Sequence, residues 1–407
     1  MKVFRFYTIL LISLFIASCN EENSESSSPL NHNEESVTTE VQKDSIRVIK
    51  LTGTNYEMGL QHGRLLKNEI HALVKLWEED IELNFQMPSE EFIIKFLEST
   101  NYIEAIKKWT PNLFEEIKGI SEGSEIELNK IIVFQLVDEM WNNGGVVFEA
   151  HHCSSIGVAN RNNNNNNNSV NYIAQNVDVT PFYHKNKILL SFNNPSNNLP
   201  TYVLTVPGII GVNGLNETIG ITVNSLMDLQ NSSDGLPVCC VVRGTLEQNT
   251  FEQAVNFINE IKHASGQNYI IGSKSDIASF ECSSIKVSKY WPDSLKKYTF
   301  HANNALQNDS YQPNYIQYLE DSLQMTHEEY IKDVPRIESL RKRILNQGSI
   351  DLNILKQTLS SKDSKTDPIC NDYTWVSTIM EFHEDYNVLL VSPGKPDSTE
   401  YIEFRIE

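Results

Sequence analysis

Cys153 is the residue of this sequence whose neighbours most suggest chemistry. It follows His151 and His152 and precedes two serines. A cysteine beside a histidine serves as a nucleophile with its base, as part of a metal site, or as a small buried residue of a strand. The thiolate is the reactive form, and a free cysteine with a pKa of about 8.5 needs a base or a positive charge to react at neutral pH.

The adjacent His152 is a poor candidate for the base of Cys153. Neighbouring side chains of a strand point to opposite faces, so His152 would point away from Cys153. Two other arrangements would give Cys153 a base. A papain-like arrangement instead needs a distant histidine, for which His301 is the candidate. The other arrangement needs a cut of the chain before Cys153, because the cysteine then gains its own α-amino group, with a pKa of about 7.7–8.0, as the base.

The predicted elements change type at Cys153. From about residue 48 to 143, apolar residues recur at helical spacing and predict helices, with Pro111 and Gly123 between them. After Cys153, short β-branched runs separated by turn residues predict strands. The seven asparagines at 162–168 predict a low-complexity loop between the first two strands.

The second half of the chain completes the prediction of fold class. A helix is predicted at 251–263, and further helices near 312–321, 336–346 and 353–360 precede a final set of strands. A helical front followed by an antiparallel, hairpin-rich body predicts the α+β class rather than a doubly wound sheet. The chain has no glycine-rich phosphate-binding motif, so nucleotide binding has no support in the sequence.

Six stretches, taken in order over about 48–407, carry a resemblance to a known family. They are GTNYEMGLQHGRLLKNEI at 53–70, the Cys153 strand with the following YIAQNVD, VNGLNETIGITVNSL at 212–226, VVRGTLEQNTFEQAVNFI at 241–258, YTFHANNAL at 298–306 and PRIESLRKRIL at 335–345. They resemble the N-terminal-nucleophile (Ntn) hydrolases, and among these the acyl-coenzyme A:6-aminopenicillanic acid acyltransferase group. The stretch at 241–258 matches a strand of that group and the helix that follows it.

The resemblance implies a role for each matching residue. Cys153 matches the nucleophile, and the family implies self-cleavage between His152 and Cys153. Asp178 matches an aspartate near the nucleophile, where a carboxylate would hold and orient the new α-amine. Asn224 and Asn303 match asparagines of the oxyanion site.

Two weaker matches concern substrate binding. Gln175 lies where the related bile-salt hydrolases carry arginine, and this change removes a positive charge that would lower the pKa of the thiol. It argues against a bile-salt substrate. Arg336 matches a downstream arginine close to the site, with a solvated helix residue as the alternative. Asn304 competes with Asn303 for the asparagine match.

Ordinary structural readings stay open for several of these residues. Cys153 would then be a buried strand cysteine, Asp178 a turn former and Asn224 a hairpin asparagine. The remaining cysteines of the mature part are expected in the core or in disulfides rather than in catalysis; they are Cys239, Cys240, Cys282 and Cys370.

The resemblance implies the four-layer αββα Ntn-hydrolase fold and an amidohydrolase that cleaves linear amides of small N-acylated substrates through a thioester. An acyltransferase that uses an activated acyl donor is one alternative. A catalytically inactive, ligand-binding lipoprotein on the same scaffold is another. The family needs no metal and no organic cofactor.

The N-terminus predicts export. Lys2 and Arg5 precede a largely apolar run at 6–17, which is too short to span a bilayer and is typical of a signal peptide at 1–18. The IASC that ends it resembles the lipobox of bacterial lipoproteins, which implies lipidation of Cys19 and attachment to a bacterial membrane. The acidic, polar stretch at 19–47 predicts a disordered tether.

The predicted organisation therefore has four segments, with a helical segment at 48–152 and the Ntn catalytic segment at 153–407 after the signal peptide and the tether. The net charge of −20, from 33 basic and 53 acidic residues, argues against nucleic acid as a partner, because binding to phosphates needs a positive surface.

Overall fold

The residues described by the computed structural model are 40–41, 46–143, 153–160, 169–292, 294–332 and 334–406. The predicted signal peptide, Cys19, the asparagine run and His152 all lie outside these ranges, as does most of the predicted tether. None of the helices within them combines the length and the apolar character needed to cross a bilayer.

The described helices fall into three groups along the chain. Those before Cys153 are α1 (Asn55–Leu65), α2 (Lys67–Phe85), α3 (Ser89–Glu98), α4 (Tyr102–Trp109), α5 (Pro111–Ser124), α6 (Leu128–Gln135) and α7 (Val137–Asn143). A central pair follows, α8 (Val238–Leu246) and α9 (Phe251–Glu260). The last group is α10 (Pro313–Ser322), α11 (His327–Lys332), α12 (Pro335–Leu345) and α13 (Leu352–Leu359).

The described strands form two sheets. The first contains β1 (Glu40–Val41), β2 (Arg47–Lys50), β5 (Ile188–Asn193), β6 (Pro200–Thr205), β7 (Asn213–Asn216), β8 (Ile219–Ser225), β9 (Gln267–Ser273), β10 (Ile277–Cys282) and β11 (Val287–Lys289), in that spatial order. The second has the order β12 (Tyr298–His301), β3 (Ser154–Val158), β4 (Asn171–Asp178), β13 (Thr374–Phe382), β14 (Asn387–Ser392) and β15 (Ile402–Ile406). All pairings are antiparallel except β2 with β5.

The two sheets pack face to face, and helices cover their outer faces. A Cβ on Gly272 of β9 would approach Ile173 of β4 at 2.7 Å, so the inner faces are in direct contact. Helices α8 and α9 contact the nine-stranded sheet, and α12 and α13 contact the six-stranded sheet. The fold is therefore the four-layer αββα arrangement of the α+β class, as predicted.

Glycines allow α1 and α5 to cross at very short distance. A Cβ on Gly59 would lie 2.0 Å from the backbone oxygen of Glu116, and one on Gly63 would lie 2.6 Å from the oxygen of Ile120. Thr54 starts α1 with a capping box, in which Glu57 binds back to the Thr54 backbone. The glycine-rich stretch at 53–70 is therefore a helix start and a close helix crossing.

The prediction of a strand at the start of 241–258 is wrong. Residues Val238–Leu246 form α8, which follows Pro237 and is buried along almost its whole length. Its β-branched residues resemble those of a strand, but the helix packs against β7 and β8 on one side and against α5 and α9 on the other. A helix buried on both sides lacks the polar face that marks most helices in a sequence.

Candidate active site

Cys153 lies immediately before β3 and faces the interior of the sandwich. The residue is 8 % exposed. Its carbonyl oxygen accepts a hydrogen bond of 2.8 Å from Nη1 of Arg336, the second residue of α12. Residues 154–158 of β3 pair with residues 172–176 of β4, so Cys153 is placed beside the end of β4.

The Cys153 thiol is strongly held in its neutral form in the uncut chain. Burial raises its pKa to about 12, and the negative charges of Asp178 and Asp138 add to the effect. A hydrogen bond from the Asp178 backbone and the charge of Arg336 act in the opposite direction but are smaller. The thiol therefore needs a further positive charge or base before it can act as a nucleophile at neutral pH.

Asp178, the last residue of β4, is fully buried next to Cys153. Burial raises its pKa to about 7, and Arg336 and Asn371 oppose this shift. The Asn371 side chain donates to Oδ2 at 2.6 Å. The other oxygen, Oδ1, is buried and has no hydrogen-bond partner among the described residues. Asp178 thus presents an unused acceptor beside Cys153.

Arg336 connects two of the other predicted site residues, Cys153 and Asn303. Besides the Cys153 carbonyl, its Nη1 donates to Oδ1 of Asn303 at 3.2 Å. Its Nε and Nη2 bind Asp367 at 3.1 and 2.9 Å. The side chain is buried, so it is not a solvated helix residue. Its observed partners are protein groups, and its predicted part in substrate binding stays a prediction.

The two predicted oxyanion asparagines differ in their contacts. Asn303 donates from Nδ2 to the backbone oxygen of Ser225 at 2.9 Å. Asn224 accepts a hydrogen bond from Ser155, which lies two residues after Cys153 on the same face of β3. Nδ2 of Asn224 is buried and without a partner among the described residues. Of the two, Asn224 therefore has the unused buried donor.

His301 is not available as the base of a papain-like pair. It lies opposite Ser155 in the β12–β3 pairing, but both ring nitrogens are engaged, with Glu281 at 2.8 Å and the carbonyl of Ala302 at 2.9 Å. Burial alone would raise the pKa of Glu281. The contact with His301 and the hydrogen bonds from backbone N–H groups, including that of Asn308, together lower it by more, so this pKa lies below its usual value. His301 therefore belongs to a buried structural cluster.

Gln175 also has its polar atoms engaged. Its Oε1 accepts from Asn213 at 2.9 Å, and its Nε2 donates to the backbone oxygen of Val223. These contacts tie β4 to the opposite sheet. Gln175 lines the cavity described next, and its predicted part in substrate binding stays a prediction.

A mainly apolar cavity opens beside Cys153. Its empty space is about 1030 Å³, including the solvent at its open mouth. Most of its described lining is aliphatic or aromatic, with Trp77, Trp141 and Trp375 as the largest side chains. The charged residues of the described lining are Asp80, Asp138 and Asp178.

Sequence reasoning missed Asp138, which lies on α7 just before the undescribed residues that lead to Cys153. Its Oδ2 accepts from Ser225 Oγ at 2.6 Å and from Gln267 at 2.9 Å. Ser225 in turn holds Asn303 through its backbone oxygen. A signal was present, because Asp138 and Glu139 are the charged residues in a run at 131–141 that is otherwise apolar apart from Gln135. Asn371 and Asp367 had no such signal.

The other cysteines of the described residues lie in the core or in the cavity wall. None of the five forms a disulfide. Cys239 lines the cavity wall through α8, while the others lie in the core; these are Cys240, Cys282 and Cys370.

Comparison with known proteins identifies the family. The model of the acyl-coenzyme A:6-aminopenicillanic acid acyl-transferase family matches residues 163–388, which is more than half of the chain and begins after Cys153. The chain is 25% identical over 261 residues to the acyl-coenzyme A:6-aminopenicillanic-acid-acyltransferase 40 kDa form of Emericella nidulans, covering 63% of this chain and 68% of that protein.

Two Dictyostelium discoideum proteins show shorter similarity. Protein dcd1A is 30% identical over 110 residues, and protein dcd1B is 27% identical over 113 residues. These matches cover 23% and 24% of this chain, and they span only about a quarter of each relative, 25% and 23%. The family match, together with the four-layer fold and the buried cysteine at the start of β3, leads to one conclusion. The chain belongs to the acyl-coenzyme A:6-aminopenicillanic acid acyl-transferase family of Ntn-fold proteins.

Proposed function

We propose that this protein is a self-processing amidohydrolase whose N-terminal nucleophile, after cleavage, is Cys153. Its substrates are linear amides of N-acyl compounds. The observation that carries the proposal is the placement of Cys153 at an apolar cavity, beside the unused buried oxygen of Asp178. Membership of an acyl-transferring family supports acyl transfer or amide hydrolysis as the general type of reaction.

Cleavage before Cys153 would supply the base and the positive charge that the thiol lacks. Hydrolysis of the bond between His152 and Cys153 leaves a carboxylate on the former and an α-amine on the latter. An amine of reference pKa about 7.7–8.0 exchanges protons near neutral pH. Oδ1 of Asp178 is suited to accept a hydrogen bond from it, and a positive charge there would lower the pKa of the thiol.

The reaction then needs only groups of this chain and water. The Cys153 sulfur attacks the acyl carbon, and its proton passes through the α-amine to the leaving nitrogen as the carbon–nitrogen bond breaks. Water attacks the resulting thioester, which releases the carboxylic acid and restores the thiol. Asn224 and Asn303 would stabilise the oxyanion of each tetrahedral intermediate.

An acyltransferase is the second candidate. The family description and the Emericella nidulans relative are both named for acyl transfer. The two reactions share the thioester and differ only in whether water or an amine accepts the acyl group. Product analysis with added hydroxylamine separates them, because a transferase forms the hydroxamate in excess over the acid.

The location remains a proposal from the sequence alone. The apolar run and IASC at the N-terminus support a lipid anchor on Cys19 at a bacterial membrane. Metabolic labelling with a palmitate analogue tests it, because Cys19→Ser would abolish the label.

A denaturing gel with N-terminal sequencing tests the nucleophile. The purified chain is expected to give a fragment of residues 153–407 that begins at Cys153, and Cys153→Ala should stay whole. Cys282→Ala is the matched control, because it makes the same change at a buried cysteine outside the cavity lining and should still be cut. A wild-type chain that stays whole and hydrolyses no amide would favour the catalytically inactive binding protein.

A further inference from the structure

A short segment between α13 and β13, residues 367–371, contacts the candidate site at two separate points. Asp367 begins it and binds Arg336 through Nε at 3.1 Å and Nη2 at 2.9 Å. Asn371 ends it and donates from Nδ2 to Oδ2 of Asp178 at 2.6 Å. Neither Asp367 nor Asn371 belongs to the described lining of the cavity, so each reaches the site through another side chain.

The Asn371 amide is held in one orientation by its own turn. Its Oδ1 accepts from the backbone N–H of Tyr373 at 2.8 Å, so the amide nitrogen is the atom that faces Asp178. The backbone N–H of Asn371 donates to the hydroxyl of Thr374 at 3.1 Å, and Thr374 also contacts Asp178. With Oδ2 occupied in this way, Oδ1 is the oxygen of Asp178 that stays without a partner among the described residues. Asn371 therefore sets the direction of the unused acceptor, because the terminal torsion of a carboxylate is otherwise soft.

Asp367 fixes the guanidinium of Arg336. Its Oδ1 binds Nε and Nη2, while Nη1 donates to the carbonyl oxygen of Cys153 at 2.8 Å and to Oδ1 of Asn303 at 3.2 Å. Because Arg336 holds Oδ1 of Asn303, the amide nitrogen of Asn303 points the other way, to the backbone oxygen of Ser225. A planar guanidinium that is held at one edge has little freedom at the other. Asp367 therefore orients a proposed oxyanion asparagine through Arg336.

The segment itself is anchored in the core. Its residues Ile369 and Cys370 are completely buried. The carbonyl oxygen of Ile369 accepts from Asn176 of β4 at 2.9 Å, and the N–H of Cys370 donates to the oxygen of Ser361 at 3.0 Å. Asn176 lies two residues before Asp178, so the segment is tied to the strand that carries the carboxylate. Such support keeps a reactive arrangement of side chains in one geometry.

Building on the proposed function, we propose that Asp367 and Asn371 are positioning residues for the reaction of the N-terminal cysteine. Asn371 directs the unused oxygen of Asp178 to the α-amine. Asp367 fixes Asn303 through the guanidinium. One segment thereby aligns the proton-transferring amine with the oxyanion site, and a displacement of about 1 Å in such a site costs about 100-fold in rate. The effect falls on the chemical step more than on substrate binding, because neither side chain belongs to the described lining of the cavity.

Steady-state kinetics of Asn371→Ala and Asp367→Asn on an N-acyl substrate test the assignment. Each should lower kcat by about 10–100-fold and change KM by less than about threefold. Asp372→Ala is the matched control in the same loop, because its side chain is 96% exposed and pairs with Lys395 at 2.9 Å; it should keep the wild-type constants. Asp367→Asn retains the size of the side chain and an acceptor oxygen, so it tests the proposal even where Asn371→Ala does not fold. An unchanged kcat in either folded variant would overturn the role of that residue.

A double-mutant cycle separates positioning from general packing. Because Asn371 is proposed to act through Asp178, Asn371→Ala should lower kcat by less than about twofold in an Asp178→Asn background. A loss as large as in the wild-type background would assign Asn371 to packing and contradict the proposal. A wild type that hydrolyses no amide would reject the proposed function, and this role with it. An active wild type with equally active variants would reject this role alone.

Discussion

Replacement of Glu116 by glutamine is expected to cost about 3–5 kcal/mol of unfolding free energy. Glu116 lies on α5 and Arg243 on α8, and the two form a bidentate ion pair at 2.8 and 2.7 Å. Both side chains are 1 % exposed. Glutamine would leave the guanidinium buried without its counter-charge, with the carbonyl of Ile210 at 2.8 Å among its remaining acceptors.

This ion pair has a particular importance if the chain is cut before Cys153. Glu116 then belongs to one fragment and Arg243 to the other, so their contact helps to hold the two fragments together. Urea unfolding followed by tryptophan fluorescence measures the effect, best in the Cys153→Ala background, where a single chain is expected. In cut protein, the same substitution should let the fragments separate at lower urea.

The control for this prediction lies on the same helix. Glu115 pairs with Lys118 at 2.8 Å, but both side chains are substantially exposed, so Glu115→Gln should change stability by less than about 1 kcal/mol. A double replacement, Glu116→Leu with Arg243→Met, should recover part of the loss, because it removes both charges. A loss below about 1 kcal/mol for Glu116→Gln would refute the reasoning.

Three further predictions concern catalysis, pH and packing. Asp178→Asn should lower kcat/KM for an N-acyl substrate by about 10²–10⁴-fold, because it removes the proposed partner of the α-amine. His62 is buried with a pKa lowered by burial to about 3 and accepts from the backbone N–H of Gly208, so it binds protons in the unfolded state before it does so in the folded state. As the pH falls from about 6.5 to 3, His62 should therefore lower the free energy of unfolding by about 1.4 kcal/mol per pH unit. His62→Gln should remove this contribution to the pH dependence in acid unfolding curves. Gly59→Ala should reduce the yield of folded protein, because its Cβ would overlap the Glu116 backbone oxygen.

Each of these has an outcome that would contradict it. Unchanged kcat/KM in the aspartate variant would remove Asp178 from the mechanism. An identical acid slope for wild type and His62→Gln would mean that His62 takes up its proton in the folded state. For the packing prediction, Gly348→Ala is the control, since nothing lies within 4 Å of its Cβ position, and it should fold normally.

The sequence alone determined the parts of this protein that depend on local chemistry. The helical spacing before Cys153 and the short β-branched runs after it are short-range signals, and the structure has helices and strands in these two parts of the chain. Asp178 was predicted through the family resemblance, and in the structure it ends the strand that pairs with the strand after Cys153. The proximity of these two residues follows from a single hairpin.

Tertiary structure decided everything that depends on which faces meet. The β-branched run of α8 forms a helix because neighbours bury it on both sides, and local preference cannot predict that. His301 lies on the strand next to β3, but its ring binds Glu281 of β10 instead of reaching Cys153. The link from Asp138 through Ser225 to Asn303 joins segments far apart in sequence. Such contacts arise only when the layers pack, because burial, not sequence spacing, brings these groups together.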